Sequence, residues 1–164
     1  MEVRLCTDDD LAALERDLPT GLARVHEKHL RRARGPELDY LGAWDGEYVL
    51  GTAVILWQGV SGDSARERDY PVVPEIAHLQ VGPASRGRGV GTALVRHSER
   101  LVRGAGHPSV VIAVSMDNDR AAKLYERLGY TPTGVTVVSN YTWTGTDGVL
   151  NPEQETNSVL ERLL

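Results

Sequence analysis

The sequence predicts an α/β (α+β) fold in which about seven strands build one mixed sheet and about four helices cover it. Three stretches carry that expectation. Leu38–Trp44 and Glu47–Trp57 flank Asp45-Gly46, a dipeptide suited to a tight hairpin turn. Leu79 to Leu94 runs from an apolar strand through Gly82-Pro83 and Arg86-Gly87-Arg88-Gly89-Val90-Gly91 directly into a helix. Ser109–Ser115 is a short apolar run of the kind buried on both faces of a sheet, and a helix over Asp119–Leu128 follows it and stops at Gly129.

The remaining elements follow in order. Val3–Leu5 reads as a first strand. Thr7 offers an N-cap with Asp10 three residues on, and Leu11, Leu14 and Leu18 recur at helical spacing until Pro19. Gly21–Ala33 reads as a second helix ended by Gly35-Pro36, with Arg31, Arg32 and Arg34 as a solvated end that complements its dipole. The strand Tyr48 to Trp57 is apolar on both faces and belongs inside the sheet. Gly59–Pro74 is polar and lacks periodicity; its Asp63, Glu67 and Asp69 suit either solubility or attraction of a cationic amine. Alternation along the strand Glu75–Val81 places Glu75, Ala77, Leu79 and Val81 on one face and His78 on the other. The helix Val90–Val102 turns Val90, Ala93, Leu94 and Leu101 inward and Arg96, Glu99, Arg100 and Arg103 outward. Val135–Trp143 and Asn157–Leu164 close the sheet, with Gly145–Gly148 as the turn between them.

Composition bounds the function. Residues 1–164 hold no repeat, low-complexity tract or linker and read as a single domain, long enough to bury roughly 70% of its unfolded surface. Hydrophobic residues make up 41% and charged residues 25%, ordinary for a globular chain. No apolar run approaches the ~18 residues that span a bilayer. Met1-Glu2-Val3-Arg4 does not open a secretion signal, so the expectation is a cytoplasmic protein that does not engage a membrane. Cys6 is the single cysteine, which excludes an internal disulfide. A net charge of −5 argues against a nucleic-acid partner and is compatible with a cationic amine substrate.

The glycine turn is the feature with chemistry in it. Glycines let the backbone turn its N–H groups toward one point, and the helix that follows adds free amides and the positive end of its dipole, so phosphate-type anions are favoured there. A Walker loop would need Gly-Lys-Ser/Thr; the spacing from Gly82 to Gly87 fits, but Arg88-Gly89 follows. A dinucleotide fingerprint would need a third glycine where Thr92 stands. The pattern that fits is R-x-x-G-x-G, as Arg86, Gly89 and Gly91. A second motif lies downstream: Asn118 after a strand, then Ala121, Tyr125, Gly129 and Tyr130 in the arrangement A-x-x-x-Y-x-x-x-G-F/Y. Together the two motifs resemble those of the GNAT superfamily of N-acetyltransferases. The resemblance spans nearly the whole chain and is specific across Glu75–Tyr130.

That resemblance implies a mostly antiparallel mixed sheet with a splayed strand pair that binds acetyl-CoA. It implies coenzyme contacts from Leu79, Gln80 and Val81 on the strand, from Arg86, Gly87, Arg88, Gly89, Val90, Gly91 and Thr92 in the turn, and from Asn118 and Tyr125. Acetyl transfer to an amine then makes three demands. A lysine-type amine, with a pKa of about 10.4, must lose its proton to attack. The developing oxyanion needs a donor, for which a backbone N–H near Leu79–Val81 is the candidate. The departing thiolate needs a proton, which the tyrosine matching Tyr125 often gives in this family.

The position of Glu75 resembles the base of the histone-acetylating branch. His78 is the second candidate, and water or a substrate-loop residue is the third. Residues read one by one also admit blander roles: Asn118 as an N-cap, Tyr125 as a core tyrosine, Glu75 as a solvated strand end, Cys6 as core filling. His26-Glu-Lys-His29 departs from the zinc signature by one residue, and no metal is expected. The functional expectation is an acetyl-CoA-dependent N-acetyltransferase acting on a primary amine, a small molecule rather than a protein, by direct attack. The alternative is a catalytically silent acyl-CoA-binding domain. The acceptor site would be shaped by Gly21–Ala33, Gly59–Pro74 and Tyr141–Pro152, and a homodimer is compatible with the chain.

Overall fold

The computed structural model describes residues 1–60, 72–144 and 149–164. Its elements in chain order are β1 (Glu2–Leu5), α1 (Leu11–Asp17), α2 (Val25–Arg32), β2 (Leu38–Asp45), β3 (Tyr48–Leu56), β4 (Glu75–Val81), α3 (Val90–Gly104), β5 (Ser109–Ser115), α4 (Asp119–Arg127), β6 (Thr131–Thr144) and β7 (Leu150–Leu163). Among the described residues the strands form one seven-stranded sheet in the order β1-β2-β3-β4-β5-β7-β6. Every neighbouring pair is antiparallel except β4 and β5. The expected fold class, a mixed and mostly antiparallel sheet flanked by four helices, is therefore the observed one. The segments 61–71, with Asp63, Glu67 and Asp69, and 145–148, the expected Gly145–Gly148 turn, lie outside the described residues.

Each face of the sheet buries the apolar side of a helix pair. On one face Leu41, Ile55, Ile76 and Ile112 pack against Leu94 and Val95 of α3 and Tyr125 of α4. On the other, Leu38, Tyr40, Val54 and Leu56 pack against Leu14 of α1, Leu30 of α2 and Cys6. Leu14 and Leu94 are both fully buried, and each side chain stabilises the fold by about 1.5–3 kcal/mol through the apolar surface it removes from water. Cys6 is core filling as expected, its thiol pushed up to about 12 by burial.

Several local readings need correction. The second helix is not continuous over Gly21–Ala33: Gly21–Ala23 is a 3-10 turn, Arg24 takes a left-handed conformation with φ 48°, and α2 starts only at Val25. At the first helix, Asp8–Asp10 is likewise a 3-10 turn ahead of α1, and Asp10 accepts from the Thr7 N–H at 2.7 Å. The last two strands are longer than the apolar pattern suggested, because β6 pairs with β7 from Thr131↔Glu161 to Thr144↔Leu150 through polar sequence. Glu99 does not face solvent. It is buried beneath Arg96 and Arg162 and accepts from the Tyr130 hydroxyl at 3.1 Å, a network that offsets the cost of its burial.

The alternation read along Glu75–Val81 also fails, for a defined reason. Between Val54↔Ala77 and Thr52↔Gln80, β3 advances two residues while β4 advances three. The extra residue is a bulge at His78, whose φ is 50°. Below the bulge Glu75 and Ala77 pair with Leu56 and Val54 and so share the α1/α2 face. Above it Leu79 and Val81 pack on the α3/α4 face. His78 stacks on His29 of α2, which puts it on the same side as Glu75, not opposite.

Candidate active site

The site grows from one geometric fact about the sheet. β4 and β5 share a single register pair, Glu75↔Val111, supported by the Val111 N–H donating to the Pro74 carbonyl at 3.0 Å. Beyond it the two strands diverge, while β3 keeps its pairing with β4 and β7 with β5. A V therefore opens in the middle of the sheet, walled by strand edges whose peptide groups have no strand partner across the gap. Such groups favour a ligand that can supply amide-type acceptors and donors, in the manner of an added strand. The splay that the family resemblance implied is present.

At the open end of the V the chain turns into α3. Pro83–Ser85 makes a 3-10 turn, Gly87 and Gly89 take φ values of 77° and 81°, and Gly89 caps the helix. A Cβ on either glycine would meet nothing within 4 Å. Their glycine identity thus reflects backbone conformation and leaves open space above the loop. The first intrahelical bond at this end runs from the Ala93 N–H to Gly89 O at 2.9 Å, so the N–H groups of Val90, Gly91 and Thr92 precede any helical acceptor. Arg86, Gly87, Arg88 and Gly89 are exposed around that end, and the Arg86 Nε also donates to Val81 O at 3.3 Å. The residues present suit a diphosphate: free amides, a helix N-terminus, two arginines and, among the described residues, no side chain against Gly87 or Gly89.

The two sequence motifs meet in space. A Cβ at Gly91 would sit 3.5 Å from Leu124, 3.7 Å from Val81 and 3.8 Å from Leu79, so α3, α4 and β4 converge there. Asn118 caps α4, its Oδ1 accepting from the Ala121 N–H at 3.1 Å, which leaves its amide NH2 as the part able to meet a ligand. Gln80 is exposed, and Leu79 and Val81 are half-buried. Tyr125 is 6% exposed and stacks edge-on to Tyr130. Burial pushes its hydroxyl up to about 12, and that hydroxyl has no hydrogen-bond partner among the described residues.

On the α1/α2 face, Glu75 is buried at the root of the V and is not a solvated strand end. His78 is exposed, and its ring centroid lies 5.0 Å from that of the buried His29. Surrounding protein and the charge of Arg32 lower the His78 pKa. His29, tucked between His78 and Tyr40, is driven down to about 3, first by burial and then by the neighbouring His78 and Arg32. His26 is tied in beneath: its Nε2 lies 2.6 Å from Leu18 O, an acceptor only, so Nε2 carries the proton and Nδ1 accepts from the Tyr40 hydroxyl at 2.5 Å. Among the described residues no group of three or more His, Cys, Asp or Glu is arranged to hold a metal.

Two features of the site were not visible in the sequence. Gly51 looked like an ordinary strand glycine, yet a Cβ there would lie 2.6 Å from Gln80 O, so the bulged β4 backbone needs its absence. His29 looked like half of a failed zinc motif. Only its spacing from His26 hinted that both rings would turn inward on one short helix.

Comparison with known proteins agrees with this geometry. Residues 7–130 match the acetyltransferase (GNAT) family model. Mycothiol acetyltransferase from Corynebacterium glutamicum (strain R) is 33% identical over 93 residues, covering 57% of this chain and 28% of that protein. The mycothiol acetyltransferase of Nocardiopsis dassonvillei is 38% identical over 80 residues, covering 49% and 24%. The chain thus spans about a quarter of the length of these curated relatives. Among solved structures, an aminoglycoside acetyltransferase in complex with coenzyme A and kanamycin superposes with TM-score 0.69 at 24% identity, covering 98% of this chain and 93% of the other. The yncA structure from Salmonella typhimurium with acetyl-CoA gives 0.68 at 18%, covering 100% and 94%. These likenesses show the fold. No helix among the described residues is long and apolar enough to cross a membrane.

Proposed function

This chain belongs to the acetyltransferase (GNAT) family, and we propose that it is an acetyl-CoA-dependent N-acetyltransferase, a single functional domain over residues 1–164, that acetylates a primary amine on a small molecule by direct attack. The observation that carries the proposal is the V between β4 and β5 with the glycine turn and the N-terminus of α3 at its mouth. The relatives' name, mycothiol acetyltransferase, favours a small molecule over a protein as acceptor.

The roles follow from position. The α3 amides of Val90–Thr92 with Arg86–Gly89 hold the diphosphate, and Leu79–Val81 and Asn118 offer strand and amide contacts to the arm. Bound acetyl-CoA supplies an activated acetyl thioester. A backbone N–H of Leu79–Val81 donates to the carbonyl oxygen as its charge develops. Tyr125 is protonated throughout the neutral range, so it can give its proton to the departing sulfur. In this reading the amine's proton leaves on the α1/α2 face of β4, taken by Glu75 (directly or through water) or by His78, both of which lie on that face.

The test is thermal. Acetyl-CoA at about 100 times its Kd adds about 2.7 kcal/mol of stability and raises the Tm, while ATP and NAD at the same concentration leave it unchanged. Thiol release in an amine panel then separates an enzyme from a silent binding domain. Equal shifts with all three nucleotides, or none, would refute the proposal.

A further inference from the structure

We propose that His78 is the base that takes the amine's proton and that His29 positions it, the two imidazoles forming a pair across the α2–β4 contact. The inference rests on the acetyltransfer reading and deepens it. Among the described residues neither ring nitrogen of His29 has a hydrogen-bond partner, although the residue is 6% exposed. A buried polar side chain in that condition is rare, and where one persists it calls for a partner. The other buried imidazole of α2 shows the contrast, since His26 has both nitrogens occupied by Leu18 O and Tyr40. His78, itself exposed, packs against His29 with ring centroids 5.0 Å apart and planes inclined by 49°. At that separation reorientation of both rings brings a nitrogen of each within hydrogen-bond reach.

The bulge gives this contact its purpose. Regular alternation would have sent His78 to the other face; the extra residue in β4 and the φ of 50° instead hold it against α2, exposed and on the same side as Glu75. Histidine tolerates that backbone region better than most residues. Among the described residues the charged and titratable groups facing the pair are Arg32, Lys28 and His26 of α2 and Tyr40 of β2, with Glu75 further down the same face of β4. Burial of His29 and the nearby Arg32 disfavour a second charge, so the two rings together hold at most one proton. As the N–C bond forms and the C–S bond breaks, the amine N–H proton passes to one nitrogen of His78. Its other N–H donates to the lone pair of neutral His29, which stabilises the new imidazolium. The electron pair of the C–S bond leaves on sulfur, which takes the Tyr125 proton. His78 then loses its proton to solvent and Tyr125 regains one, so the sum is one amide and one thiol.

The experiment follows the imidazole resonances of the full-length 15N-labelled protein from pH 4 to 8, in the native chain and in His29→Phe and His29→Gln. The expected result is uptake of a single proton by the pair, centred on His78. The His78 midpoint falls by about half a unit or more in His29→Phe, because an acceptor for its charged form is lost, and returns in His29→Gln, whose amide oxygen accepts. In turnover with acetyl-CoA and a panel of primary amines, His29→Phe lowers kcat and leaves the KM for acetyl-CoA unchanged, and His29→Gln restores most of it. His78→Phe, at an exposed ring, lowers kcat by about 100-fold. An identical His78 midpoint in all three proteins, or His78→Phe turning over within twofold of the native chain, would overturn the proposal. If acetyl-CoA still stabilises the protein, that failure belongs to the histidine pair alone. If it does not, the acetyltransfer reading falls and takes the base assignment with it.

Discussion

At the scale of single residues, the site separates groups that hold a proton from groups that cannot. Tyr125 loses its solvent and nothing else, so its pKa rises to about 12 and it stays protonated throughout the neutral range. Tyr125→Phe keeps the ring against Tyr130 and removes the proton donor. Turnover should fall by about 10–100-fold while acetyl-CoA affinity, read by calorimetry, stays within about twofold; unchanged turnover would return Tyr125 to a packing role. His29 makes the opposite case. Its folded pKa of about 3 lies below the ordinary 6.5, so between those values the unfolded chain binds a proton that the folded chain does not. Stability is full above about pH 6.5 and declines as pH falls through that window, with a slope approaching about 1.4 kcal/mol per pH unit. Urea midpoints of the native chain and of His29→Gln at pH 7 and pH 5 check this, the loss on acidification being smaller in the variant. These assignments were only partly legible beforehand. Tyr125 stood out by its motif, but the neutral state of His29 depends on β4 and Tyr40 closing over it, contacts between segments far apart in the chain.

At the scale of elements, legibility tracks how local the cause is. The Asp45-Gly46 hairpin, the cap at Asn118 and the α3 entry through Gly89 were readable because each is decided by a few adjacent residues. The β4 bulge was not, because Glu75–Val81 alternates well enough as a regular strand. What bends it is outside it, where Gly51 on β3 lets Gln80 O come within the space a Cβ would fill. Glu99 was misjudged for the same kind of reason, since the Arg162 that neutralises it sits on the last strand. The glycine turn allows a clean test. Gly89 is in a left-handed conformation with open space around its Cα, so Gly89→Val costs backbone strain of about 1–3 kcal/mol and puts methyl groups where the diphosphate would approach. Acetyl-CoA affinity should drop at least about tenfold, against a far-UV spectrum like that of the native chain. Native affinity in the variant would refute the assignment of the turn.

For the whole molecule, the consequence of the V is that neither half of the sheet closes it. β1 to β4 form one set of antiparallel neighbours, β5 to β7 the other, and the join between them is a single strand pair at Glu75 and Val111 plus the helices packed across it. A ligand that lies along both strand edges replaces the missing pairing and ties the halves together, so its stabilisation should not be confined to the phosphate turn. Amide exchange measured with and without acetyl-CoA should gain protection in two separate stretches, residues 79–92 and residues 113–118, because β4 with its turn and the open end of β5 form the two walls. The gain approaches about 2.7 kcal/mol at 100 times the Kd in amides that exchange by opening of this region. Inorganic pyrophosphate, which can occupy only the turn, should protect residues near Val90–Thr92 and leave 113–118 unchanged. Protection by acetyl-CoA restricted to the turn would mean that the arm does not enter the sheet, and the two strands would then be splayed for some other occupant.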